Sequence, residues 1–406
     1  MASAPHAGGA AMPLPRRFET RRHNLLERIG VLHMDYLLFV AAAGLIAFSV
    51  YTLAAATQND VPGTPLFYVV RQAIYGVVGV ALMLSVMSVD YSRFRELRVG
   101  LYAALIGSIT IVLLLGGATR GSRRWIELPF FRFQPSELGK VLLVAALAGF
   151  IIDRSRRRDD RGRTLRLLIL GMAPAAIIFL QPDLGTGIVY VVTTLAVLFL
   201  AGIRASHFLA IAGSAVVLAL LVLVAAPAAG VPVLKGYQQT RLTAFLHPSD
   251  DPADSGYQVN QALIAVGSGQ KTGRGDQATQ TRLDFVPERH TDFIFAVIGE
   301  RFGFVGAAFV LSLYALLIWR ALRILTLSKN LYGTLLAGGI ASMLMFQVFV
   351  NVGMSIGIMP VTGVPLPLMS YGGSSVLVTF IAIGLLQSVY VQARLSARGG
   401  GFSPLS

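Results

Sequence analysis

The chain has 406 residues, of which 55% are hydrophobic and 13% charged, and a formal charge of +14. A soluble globular domain carries about 25% charged residues, so the composition excludes that class and indicates an integral membrane protein. The basic residues are mostly arginines in short runs beside apolar segments, a pattern of orientation signals that argues against nucleic acid as a partner, and with no cysteine there is no disulfide or thiol chemistry.

Residues 1–34 read as a cytoplasmic tail. Met1 to Pro15 is rich in Ala, Gly and Pro, and Asn24 to His33 fits a short amphipathic helix at the membrane surface. No short apolar stretch with a small-residue cleavage site follows at once, so no signal peptide is expected. Apolar segments then run over 35–56, 67–89, 97–116, 136–152, 165–180, 186–202, 207–229, 292–318, 331–358 and 374–392. A straight span needs about 20 residues, and several of these fall short. The expectation is an all-α polytopic protein of ten transmembrane helices, a single membrane domain over 35–392, and a tail over 393–406. The even number puts both termini on one side. Arg16 to Arg28, Arg93 to Arg98, Arg154 to Arg166, Arg204, Arg320 to Lys329 and Arg394/Arg398 share that side, which makes it cytoplasmic. The opposite connection 57–66 has no Lys or Arg, whereas Gly117 to Arg132 carries outer positive charge that asks for an anionic partner. The long connection between spans seven and eight, 230–291, faces out and has the length of a functional loop.

The polar residues gather at four places. In TRGSRRWIELPFFRFQPSELGK, Glu137 and Lys140 stand three apart on one helix face and can pair. In QPDLGT, Asp183 either caps the next helix or lines an outer cavity. In FVPERHTDFIFAVIGERFGFVG, residues 285–306, Glu288, Arg289, His290 and Asp292 crowd the point where a Pro-broken loop becomes an apolar span. Titratable groups there are costly to hold unless they act. At 100° per residue, Ala296, Gly299 and Gly303 fall within about 40° of Asp292, and Glu300 lies roughly 12 Å deeper and needs a partner such as Arg301. The fourth place is MPVTGVPLPLMSYGGSS, 359–375. Its prolines and glycines forbid regular helix, and irregular backbone at membrane depth requires a protein or wet surface, so this segment, with Ser370 and Ser374, forms part of a cavity. Gln347 and Asn351 stand four apart for interhelical hydrogen bonds, and Gly333, Gly338 and Gly339 suggest a small-residue surface for a partner helix on spans eight and nine.

These four segments, in this order, resemble the SEDS family (shape, elongation, division and sporulation), the polytopic peptidoglycan glycosyltransferases of bacteria, and the wording VTGVPLPLMSYGGSS resembles its RodA, elongation branch. One stretch departs from the family pattern: Gly267 to Gly275 reads GSGQKTGRG, with Arg274 where Lys is usual. The resemblance implies a cell-membrane enzyme whose active site is extracytoplasmic. It would polymerise lipid II, an undecaprenyl-pyrophosphate disaccharide-peptide, onto a growing glycan strand beside a class B penicillin-binding protein. It also implies that Asp292 is the essential carboxylate. An α-linked donor and a β-1,4 product need one displacement and one general base. For the pyrophosphate the candidates are Arg124, Lys140, Arg241 and Arg274, or a divalent cation, Mg2+ or Mn2+. Glu137, Glu288, His290, Ser370 and Ser374 fall in the matching motifs and are expected to contact substrate. Two other classes compete: a lipid II flippase, and a scaffold that only activates the cross-linking enzyme. The sequence has no clear internal repeat and its polar motifs cluster toward the outer side, which disfavours a transporter.

Overall fold

The computed structural model describes residues 33–57, 63–115, 124–127, 131–153, 160–204, 206–210, 213 and 255–399. Its helices are α1 (Tyr36–Ala56), α2 (Phe67–Met87), α3 (Ser92–Glu96), α4 (Arg98–Leu115), α5 (Pro135–Asp153), α6 (Asp160–Leu180), α7 (Leu184–Leu200), α8 (Ser255–Ser268), α9 (Thr279–Arg282), α10 (Ile294–Leu327), α11 (Leu331–Ser355) and α12 (Gly373–Gly399). One antiparallel hairpin, β1 (Ile126–Glu127) with β2 (Arg132–Phe133), pairs Ile126 with Phe133 and Glu127 with Arg132. Seven described helices are long and apolar enough to cross a membrane, and α6 and α7 add shorter apolar helices. The protein is thus a nearly all-helical, multi-pass membrane protein. The seventh expected span lies mostly outside the described residues, as do 230–254 of the long loop, Arg241 and positions 24–32 of the expected surface helix.

Burial separates the helices into a post and a rim. Within their most apolar windows, α12 is 89% buried, α5 78% and α11 72%, against 17% for α4 and 22% for α2. In a membrane the exposed apolar side chains of the rim, Val77, Leu115 and Phe304 among them, are the lipid-facing ones. α12 packs along α2, α10 along α1 and α11, and α5 against α4 and α11.

Local chemistry sets the helix ends. Asp35 caps α1 by accepting from the Leu38 amide at 3.0 Å, Asp183 caps α7 through Thr186, and Asn330 caps α11 through Gly333. Asp35 also joins three helices: Arg320 of α10 pairs with its carboxylate, and Gln387 of α12 grips its backbone amide at 2.8 Å and carbonyl at 2.9 Å. α10 runs 34 residues but breaks at Gly303, whose φ of 63° and ψ of −160° are not helical. Asp292 lies in the turn before the helix and Gly303 at the break, so the face expected for Asp292, Ala296, Gly299 and Gly303 is not one continuous helical stripe; the Gly299 backbone packs against Val266 of α8.

The expected partner surface of glycines is also corrected. A Cβ at Gly338 would stand 2.3 Å from Leu200, at Gly339 2.5 Å from Val144, and at Gly333 2.3 Å from Ser328. These glycines serve close packing inside this chain, not docking of another.

Candidate active site

Asp292 sits two residues before α10, half-buried, and does not cap it; Phe293 holds the cap position without a side-chain bond. The backbone around Asp292 is fixed carbonyl by carbonyl. The Tyr371 amide donates to His290 O at 2.8 Å, Ser370 Oγ to Thr291 O at 2.5 Å, and Asn351 Nδ2 to Asp292 O at 2.9 Å. The irregular segment after α11 folds for this purpose: Leu366 N donates to Ser370 Oγ, and Asn351 Nδ2 reaches Val364 O as well. Gly363, at φ 72°, leaves room at the carboxylate, since a Cβ there would lie 3.6 Å from Asp292 Oδ2.

Beside this turn opens a cleft of about 550 Å³, within the usual size of ligand sites. Tyr68, Arg71, Arg132, Glu127, His290 and Tyr371 line it. The Tyr68 ring lies 4.7 Å from His290 and 4.8 Å, edge-on, from Tyr371. His290 is thus placed in the cleft. Ser370 and Ser374 are not free to bind substrate: both are buried, and Ser374 donates to Arg132 O at 2.8 Å while accepting from Gln134 N at 3.0 Å. Glu288, at φ 49°, accepts from Thr291 Oγ1 at 3.0 Å and so shapes the turn.

Of the residues expected at the pyrophosphate, Lys140, Arg124 and Arg274 have partners within the chain, and Arg241 lies outside the described residues. Glu137 and Lys140 form a buried ion pair at 2.8 Å, under α7, where Tyr190 donates to Ser136 O. Arg124 stands 3.6 Å from Asp183 and donates through Nε to Gln181 O at 3.3 Å, so Asp183 is at once a cap and a counter-ion. Arg274 is exposed and donates to Ser268 O and Thr279 Oγ1, binding the loop to itself. Arg289 pairs with Asp284 and donates to Ala56 O, capping the end of α1. Among the described residues no group of three or more His, Asp or Glu side chains could hold a metal ion.

Glu300 finds its partners in the loop, not in Arg301. Its carboxylate accepts from the amides of Gln280 and Thr281 at 2.8 Å and from Thr281 Oγ1 at 2.6 Å, while Arg301 pairs with Asp276. The loop in turn repairs the broken helix: Gln270 O and Lys271 O accept from Phe304 and Val305, and the Arg274 amide donates to Glu300 O. Gly269 and Gly273 of the loop serve this contact. A Cβ at Gly269 would stand 1.8 Å from Gly299 O.

Comparison with known proteins agrees with this architecture. A family model for the FtsW, RodA and SpoVE cell cycle proteins matches residues 32–395. Stage V sporulation protein E of Bacillus subtilis is 36% identical over 356 residues, 87% of this chain and 94% of that protein. Peptidoglycan glycosyltransferase MrdB of Escherichia coli is 35% identical over 372 residues, 90% and 96% of the two chains. A chain from a solved peptidoglycan synthase complex, described as coordinating polymerization and crosslinking, superposes with a TM-score of 0.76 at 32% identity, covering 89% of this chain and 99% of that one. On these matches, which run nearly from end to end, the chain belongs to the FtsW/RodA/SpoVE family.

Proposed function

We propose that this chain, like the relatives named peptidoglycan glycosyltransferase, lengthens glycan strands from lipid II by a single inverting displacement with Asp292 as general base. Asp292 takes the proton from the acceptor 4-hydroxyl. That oxygen bonds to C1 of the donor sugar as the bond from C1 to the pyrophosphate oxygen breaks, and the polyprenyl pyrophosphate leaves with the electron pair. The observation that carries this reading is the fixing of three successive carbonyls, His290 to Asp292, beside an open cleft. A base held on rigid backbone needs no reorganisation at the moment of transfer.

The basic residues Arg320, Arg323 and Lys329 lie at the far end of α10. By the positive-inside rule that end is cytoplasmic and Asp292 is extracytoplasmic. The partner is a class B penicillin-binding protein. α10 and α11, with α8, line an apolar groove of about 750 Å³ whose walls include Ala307, Ala308, Leu311, Ala315 and Val352. Small residues on a lipid-facing groove allow close approach of one transmembrane helix.

The test is polymerisation of labelled lipid II by purified Asp292→Asn protein beside wild type. Loss of a general base costs about 10²–10⁴-fold in rate, and polymer should fall accordingly with fold and partner binding intact. Undiminished polymer from folded Asp292→Asn overturns the assignment. A wild type that makes no polymer but moves lipid II across vesicles overturns the enzyme reading as well.

A further inference from the structure

We infer that Arg71, on the first turns of α2, holds the diphosphate of the polyprenyl-linked donor in the cleft beside Asp292, with the Tyr68, His290 and Tyr371 rings as the wall for its sugar. The inference deepens the function proposed above and rests on it for the identity of the substrate.

Arg71 is an arginine within a spanning helix, and such a charge is costly unless it is used. It lines the cleft and is half-buried. Its guanidinium lies over the Phe67 ring, 4.2 Å from the centroid. That contact holds the group at the cleft without occupying its N–H donors, which can take oxygen ligands. The other cations of this surface have carboxylate partners: exposed Arg132 stands 3.7 Å from Glu127, Arg124 meets Asp183, and Lys140 is closed inside the protein on Glu137. Among the described residues Arg71 has no carboxylate partner.

Two further features point the same way. Phe67 and Tyr68, the first residues of α2, line the cleft, and no side chain caps that turn. The positive end of the helix dipole therefore faces the same space and adds to the attraction for an anion. The three rings, in contact with one another, offer an aromatic wall that also carries hydroxyl and imidazole groups. The cleft thus has a cationic end, an aromatic wall and the fixed turn carrying Asp292. A diphosphate joined to a sugar matches that order.

Binding is measured in detergent with undecaprenyl pyrophosphate and, as control, undecaprenyl monophosphate. The proteins are wild type, Arg71→Ala and Arg71→Lys, each also in the Asp292→Asn background. Wild type should prefer the diphosphate. Arg71→Ala should lose about tenfold to hundredfold in diphosphate affinity, the value of charge-assisted hydrogen bonds, with monophosphate affinity changed much less, and Arg71→Lys should recover part. In polymerisation the apparent KM for lipid II should rise with Arg71→Ala.

Unchanged preference in Arg71→Ala overturns the inference. Equal loss of both ligands in both Arg71 variants also overturns it, because the residue is then only structural. The outcome is separable from that for Asp292: active Asp292→Asn protein sinks the base, while diphosphate preference in the Asp292→Asn background reports on Arg71 alone.

Discussion

Asp292 and the residues that hold it show how much a motif tells and where it stops. The carboxylate is legible because a polar cluster at a span edge is costly. Its support is not, because Asn351 reaches Asp292 O from 59 residues away and Ser370 reaches Thr291 O from 79. Asn351→Ala removes the bond to Asp292 O and should lower the polymerisation rate with less effect on the KM for lipid II; equal rate to wild type would show that the turn holds itself. Arg71 is easily passed over as one arginine in an apolar run, though an intramembrane charge is itself a signal. For Glu137 and Lys140 the spacing reads correctly as a pair, and burial now separates pair from ligand. Lys140→Met alone strands a buried carboxylate, which costs about 3–5 kcal/mol, and should lower the melting temperature in detergent. The double change Glu137→Leu with Lys140→Met should recover most of that stability. A double variant as unstable as the single one would mean the pair has a further partner.

At the scale of elements, the periodicity of α10 reads as one continuous helix with a small-residue face. The structure gives two helices meeting at Gly303, joined by a loop that donates to and accepts from the broken ladder. Periodicity cannot show this, because a glycine for packing and a glycine for positive φ look alike in a row of letters. The expected contrast is sharp. Gly273→Ala places a Cβ 2.1 Å from Arg301 O at a residue with φ 84°, which costs about 1–3 kcal/mol in strain alone. Amide hydrogen exchange over 269–274 and 303–305 should then accelerate together. Exchange confined to the loop would show that the kink stands without it.

For the whole molecule, composition and hydropathy give the fold class, and the described spans emerge near their expected places. They do not give which helices are enclosed, since α4 and α11 are both apolar and differ only in neighbours. The glycine surface fails for this reason. Ala308→Trp and Ala315→Trp, in the α10–α11 groove, should reduce co-purification with the class B penicillin-binding protein while the isolated chain still polymerises. Gly338→Leu should instead destabilise the chain itself, because Leu200 and Leu325 occupy the space it would need. If the tryptophan variants keep their partner, the groove is not the docking surface.

The enclosure of α12 has a consequence for how the protein is made. This helix is the last of the described helices to leave the ribosome, yet it is the most surrounded, and Ser374 at its start anchors the hairpin before α5. Asp292 is synthesised long before Asn351, Ser370 and Tyr371 exist to hold its turn. A nascent chain therefore carries its carboxylate into the membrane with no means of aiming it. With Asp292 as the base proposed above, a chain truncated before Ser370 and Tyr371 lacks the partners of that turn and should make no polymer from lipid II.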